Sequence, residues 1–173
     1  MDRFVIDPER SQVWINARST LHPIHSHTNG LEGFVEATLR ADGRLDVSAA
    51  TSARLSLSVD RLRSGNPLEE RELKRRILAS RFPTIDGELT ELAATDADNR
   101  YAVSGRVTFR GETVHYSHDM EITALDDETL RLTGEATFDV RDFGMQPPRI
   151  LMLRVEPDVV VRVELIAVKQ ADR

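Results

Sequence analysis

Histidine is the residue type best placed to do chemistry in this 173-residue chain, which has five. Three lie together in Leu21-His22-Pro23-Ile24-His25-Ser26-His27-Thr28-Asn29-Gly30. His25 and His27 are two apart, so on an extended backbone they face the same way, as imidazoles sharing a cation do. His22, His25 and His27, with His118 from a distant segment, form the candidate metal-ligand set, and Glu32 could add a carboxylate. Their spacing matches no fixed ligand pattern, and a polar loop rich in Pro, Ser, Thr and Asn tolerates histidines equally well. The expectation is therefore no metal and no cofactor, with the histidine set as the alternative.

His118 differs in kind. It interrupts the apolar face of Val114, Tyr116, Met120 and Ile122, whose alternation with His115, Ser117, Asp119 and Glu121 marks a strand with one buried face. A buried imidazole needs a hydrogen-bond partner, and burial lowers its pKa. Either it faces a ligand, or a backbone carbonyl or the hydroxyl of Tyr116 or Tyr101 satisfies it within the core.

Other chemistries lack their residues. There is no cysteine, hence no disulfide, thiolate metal site or cysteine nucleophile. No phosphate-binding glycine loop, nucleophile elbow or H-E-x-x-H occurs. Asp142-Phe143-Gly144 has the letters of the protein-kinase metal triplet but none of its companion motifs, so it reads as a strand end and a glycine turn. No nucleophile–base–orienter set can be assembled, which favours binding over catalysis. With 29 acidic against 23 basic residues and a net charge of −6, the chain is a poor partner for nucleic acid.

The elements that would position these residues are mostly strands. Leu130, Leu132, Gly134, Ala136 and Phe138 alternate with polar residues, as do Leu55, Leu57 and Val59. Further strand-like runs cover 12–21, 31–40, 84–92, 101–109 and 159–168, separated by turn-prone Ala41-Asp42-Gly43, Ala97-Asp98-Asn99, Arg110-Gly111-Glu112 and Asp126-Asp127-Glu128. One helix is expected at about 67–80, opened by the Asn66 cap and Pro67 and supported by Glu70–Lys74 and Glu72–Arg76 pairs, with Leu73 and Ile77 as its apolar stripe. About eight or nine strands without strand–helix alternation predict an all-β fold, a closed antiparallel barrel or sandwich.

Ser11-Gln12-Val13-Trp14-Ile15-Asn16-Ala17, Gly33-Phe34, Gly43-x-Leu45, Val59-Asp60, Arg71-Glu72 and Phe82-Pro83-Thr84-Ile85 follow one another along the chain in an order that resembles the YceI-like family. The most specific is Gly105-Arg106-Val107-Thr108-Phe109-Arg110-Gly111-Glu112-Thr113, followed by Asp142-Phe143-Gly144-Met145. The resemblance implies an antiparallel lipocalin-like β-barrel of about eight strands whose apolar interior holds an isoprenoid or similar lipid chain, a width that suits one slender ligand. His118 stands where that pattern usually has an aliphatic residue.

The resulting expectation is a single domain over 1–173 that sequesters an apolar small molecule such as an isoprenoid or fatty acyl chain. Val35, Leu57, Val107, Tyr116, His118, Met120 and Phe138, each on the apolar face of its strand, are the candidate ligand-binding residues. The start Met1-Asp2-Arg3-Phe4 shows no signal-peptide pattern and no segment is apolar enough for a membrane helix, so a cytoplasmic protein is expected. Exposed barrel strands often pair, which leaves a homodimer open.

Overall fold

Residues 1–147, 149–150 and 153–171 are described by a computed structural model. The strands are β1 (Asp2–Ile6), β2 (Gln12–Ser19), β3 (Pro23–Thr28), β4 (Glu32–Ala37), β5 (Ser52–Ser58), β6 (Thr84–Ala94), β7 (Arg100–Phe109), β8 (Glu112–Ala124), β9 (Thr129–Asp139), β10 (Arg149–Ile150) and β11 (Leu153–Lys169). Among the described residues a single α-helix, α1 (Pro67–Ile77), lies between β5 and β6. All ladders are antiparallel. β1 pairs with β4 on one side and β11 on the other, so the path β1-β4-β5-β6-β7-β8-β9-β11 returns to its start as a closed eight-stranded barrel. The expected all-β barrel is the observed fold.

The closing strand β1 is one that hydrophobic alternation does not flag, because it is only five residues long. Its continuation is broken at Asp7, whose carboxylate accepts from the amides of Glu9 and Arg10. The break is stitched to β11 by fully buried Ser11, whose Oγ accepts from the Ile166 amide at 3.0 Å. The chain then resumes as β2 along the same side of β11.

The histidine segment is no solvated loop: β3 pairs with β2 in a six-residue register from Val13↔Thr28 to Arg18↔Pro23. Alternation is weak there because Ser26 and Thr28 occupy the inner positions beside Ile24. Strand pairing wins because Pro23, which has no N–H to donate, falls at the first position of an edge strand.

We call the end holding turns 38–51, 95–99 and 125–128 the floor. The opposite end, the mouth, carries α1, the 20–22 turn, a 3-10 turn at Val140–Phe143 and the β7–β8 turn. That last turn is Arg110-Gly111, with φ of 55° and 78°, the two-residue type whose twist suits a hairpin.

Helix α1 starts as expected: the Asn66 side chain accepts from the Leu68 and Glu69 amides. It ends at Ile77, short of residue 80, because Leu78 turns left-handed (φ 58°) and its N–H closes onto the Arg75 and Lys74 carbonyls. The Glu72–Arg76 pair forms at 2.8 Å. The expected Glu70–Lys74 pair does not. Glu70 instead accepts from the Ser64 and Gly65 amides and pairs with Arg63, while Lys74 reaches Asp60. Backbone donors at the helix entrance hold that carboxylate more firmly than a flexible lysine would. Ile77 is buried in the core with Leu73 packed beside it, so the helix covers part of the mouth. Among the described residues no helix is long and apolar enough to cross a membrane.

Candidate functional site

Ladder register decides which side chains point inward. Val35 lies opposite Phe4 and Ala53, and Leu57 opposite Ile85. Val107 faces Val114, Tyr116 faces Gly105, His118 faces Val103, Met120 faces Tyr101 and Gly134, and Phe138 faces Val159. All seven candidates therefore share the inner face. They do not share an environment. Val35 and Leu57 are each 5% exposed and belong to the packed core, Leu57 in one cluster with Val59, Leu62 and Ile77. Val107, Tyr116, His118, Met120 and Phe138 are only half-buried.

This gradient follows from side-chain size. Near the floor, Phe4, Leu130, Leu165 and Ala167 are completely or almost completely buried. Tyr101 closes that end, its hydroxyl accepting from the Leu45 amide at 3.0 Å. Above them the inward positions of β6, β7 and β9 include Gly87, Gly105, Gly134 and Ala136. Met120 lies over Gly134: a Cβ there would sit 2.9 Å from Met120 Cγ. Such small residues leave the inner side chains around them with accessible surface.

The wall is also interrupted. β8 and β9 pair only from Met120↔Gly134 to Ala124↔Leu130, so residues 112–119 and 135–139 part above that point. Tyr116 and Phe138 meet across this seam edge to face, with ring centroids 4.6 Å apart. Phe143 packs against Tyr116 and, edge-on, against Phe109. The Tyr116 hydroxyl donates to Asp142 at 3.0 Å. Burial first, then that carboxylate, pushes the phenol pKa far above its ordinary value.

His118 sits beside the seam with its Nδ1 buried and without a hydrogen-bond partner among the described residues. Neither Tyr116, which donates to Asp142, nor Tyr101, which accepts from Leu45, is its partner. Burial lowers its pKa, with the Asp119 charge opposing in part. That favours the neutral form of a polar group set on the inner face beside Val103 and Met120.

The alternative metal set is not assembled. His25 and His27 do face the same way, but outward, on the opposite side of the wall from His118. His25 Nδ1 donates to Asn16 Oδ1 at 2.6 Å, and His27 bonds Gln12 and stacks on Trp14. His22 Nδ1 donates to the Pro23 carbonyl. Among the described residues no three His, Cys, Asp or Glu side chains group to hold a metal ion. An outer groove of about 500 Å³ runs past Trp14, Arg162, Glu135 and Asp119. Arg162 covers one face of the indole at 4.1 Å and His27 the other, leaving no aromatic platform free.

Sequence reasoning missed Phe109, Phe143 and Arg110. Phe143 was hidden in a triplet that reads as a turn, yet it is buried. Arg110 donates to the Arg76 carbonyl at 2.9 Å and the Gly144 carbonyl at 2.6 Å, tying α1 to the 3-10 turn. The positive φ required at 110–111 was the one sequence signal that fixed this arginine at the mouth.

A model of the YceI-like domain matches residues 4–167. No curated protein matches the chain. Among solved structures, BcnA of Burkholderia cenocepacia superposes with a TM-score of 0.73 at 15% identity, over 93% of this chain and 98% of that one. A polyisoprenoid binding domain from Saccharophagus degradans, implicated in plant cell wall breakdown, gives 0.75 at 10% identity, over 98% of this chain and all of that one. The YCEI protein of Campylobacter jejuni gives 0.60 at 13%, over 79% and 82%. At such identities the likeness is one of fold.

Proposed function

Because the chain belongs to the YceI-like family, we propose that it is a carrier holding one slender apolar molecule, an isoprenoid or fatty acyl chain, inside its barrel. The observation that carries this reading is the half-buried inner surface of Val107, Tyr116, His118, Met120 and Phe138 above a filled floor. The seam between β8 and β9 is the lateral way in once the Tyr116 and Phe138 rings that meet across it move apart. The chain's likeness to a polyisoprenoid binding domain supports the same ligand class.

His118 is the recognition element in this scheme. A neutral imidazole donates or accepts, so the orphan Nδ1 meets a hydroxyl or other polar head while the chain lies against Val107, Met120 and Phe138. Affinity comes from apolar transfer, about 0.8 kcal/mol per buried methylene, or about fourfold in Kd. Calorimetric titration with straight-chain alcohols and prenols of rising length tests this. Affinity should climb with each methylene to a plateau, with a negative heat-capacity change. Absence of binding at every length would overturn the proposal.

A further inference from the structure

The mouth end carries a surface that the barrel interior does not explain. The segment joining β5 to β6, residues 59–83, has seven basic and four acidic residues in a chain whose net charge is −6. On α1 the exposed positions include Leu68, Arg71 and Arg75, three and four apart and so on one line along the helix, and exposed Leu78 follows at its left-handed cap. Leu68 is 63% exposed and Leu78 40%, and Leu21 at the neighbouring hairpin turn is 78% exposed. Two arginines thus lie between two uncovered leucines.

Ion pairing gives an independent asymmetry. Along the barrel wall and floor, arginines are matched with acids: Arg3–Glu36, Arg54–Glu88, Arg100–Asp119 and Arg131–Glu164 are examples. Among the described residues, the arginines without a carboxylate partner are Arg18, Arg61, Arg71, Arg81, Arg110 and Arg154, with Arg162 as the one case on the wall, where it covers Trp14. The other six lie at the mouth, where Arg110 is held by the Arg76 and Gly144 carbonyls and Arg61 by Asn29, beside the paired Arg63–Glu70 and Arg75–Glu72. The floor has the opposite character, with Asp96, Asp98, Asp126, Asp127 and Glu128 in its turns. Leu125 is exposed there too, but it stands next to three of those acids.

We propose that the mouth end docks onto a bilayer carrying anionic lipid, with the outer line of α1 as the contact. The guanidinium of Arg71, with Arg75 exchanging its Glu72 partner for a phosphate, meets the headgroup layer, and Leu68 and Leu78 enter the boundary with the acyl chains. The acidic floor is repelled, so the molecule approaches mouth first. A nucleic acid would use the arginines but leave both leucines in water, which is why a lipid surface fits better. This inference goes beyond the carrier reading and does not rest on it, since docking needs no cargo.

Co-flotation of the full chain with phosphatidylcholine vesicles, with and without phosphatidylglycerol, tests it. Binding is expected only with the anionic lipid and should fade as salt shortens the screening length. Arg71→Gln should weaken it about fivefold, the usual worth of one basic residue at such a surface. Leu68→Ser with Leu78→Asn should weaken it further. Asn accepts the left-handed cap, so the melting temperature should hold. The wall variant Arg131→Gln should leave binding unchanged. No binding to anionic vesicles at low salt would overturn the proposal. So would an equal loss from Arg131→Gln, or a DNA duplex bound as tightly as the vesicles.

Discussion

Replacing His118 with Leu separates a recognition histidine from a structural one. In the wild type a buried Nδ1 has no partner among the described residues, and an unpaired buried polar group costs about 1–3 kcal/mol. Leu removes that group at similar volume, so His118→Leu should raise stability by about 1 kcal/mol, or about 2–4 °C in Tm for a chain of this size. The pH dependence sharpens the test. Burial depresses the folded-state pKa below 6.5, so well above pH 6.5 the imidazole is neutral in both states and adds no slope. As pH falls below 6.5 the unfolded state takes up the proton first, and the wild type loses stability that His118→Leu keeps. The gap between the two proteins, followed by urea denaturation from pH 8 to pH 5, should therefore widen with acid. Cargo retention by the variant should fall at the same time. A destabilised variant that retains its full ligand complement, with no widening of the gap, would refute the reasoning.

Two backbone positions and one clamp give further tests. A Cβ at Gly105 would lie 2.8 Å from the Glu88 carbonyl oxygen, a backbone atom held in a ladder, whereas one at Gly134 meets the flexible Met120 side chain. Gly105→Ala should cost about 2 kcal/mol or more and Gly134→Ala about 1 kcal/mol or less by urea denaturation; equal costs would contradict the packing described. Arg110→Ala removes the charge-assisted bonds to Arg76 and Gly144. It should cost about 1.5–3 kcal/mol and speed proteolytic nicking between β5 and β6, and an unchanged cleavage rate would remove the clamp from the account.

How much of this was legible beforehand depended on side-chain contrast. Period-two alternation over Val114–Ile122 and Leu130–Phe138 was strong, and the register confirms which of their side chains face inward. Asn66-Pro67 announced the helix because cap chemistry is local. Its end was not legible, since a leucine rather than a glycine takes the left-handed position at 78. β1 and β3 were missed because each is short and made a strand by its pairing rather than by its own pattern: β1 by β4 and distant β11, β3 by the adjacent β2. The inner face was readable but not its division into filled and unfilled parts. Val35 and Leu57 look no different from Val107 in sequence, and only the register of glycines on β6, β7 and β9 separates them. The seam was invisible because where β8 and β9 stop pairing is a property of the whole barrel.

The central claim is that the interior above the floor holds an apolar molecule, and native mass spectrometry of the protein as purified tests it most directly. The wild type should carry a non-covalent mass increment that organic extraction removes and that mass spectrometry of the extract assigns to an isoprenoid or acyl chain. Ala136→Trp, which places an indole on the inner face between β8 and β11, should fold and show the bare chain mass. A wild type that shows only its own mass, and whose melting temperature no prenol or fatty acid raises, would contradict the account.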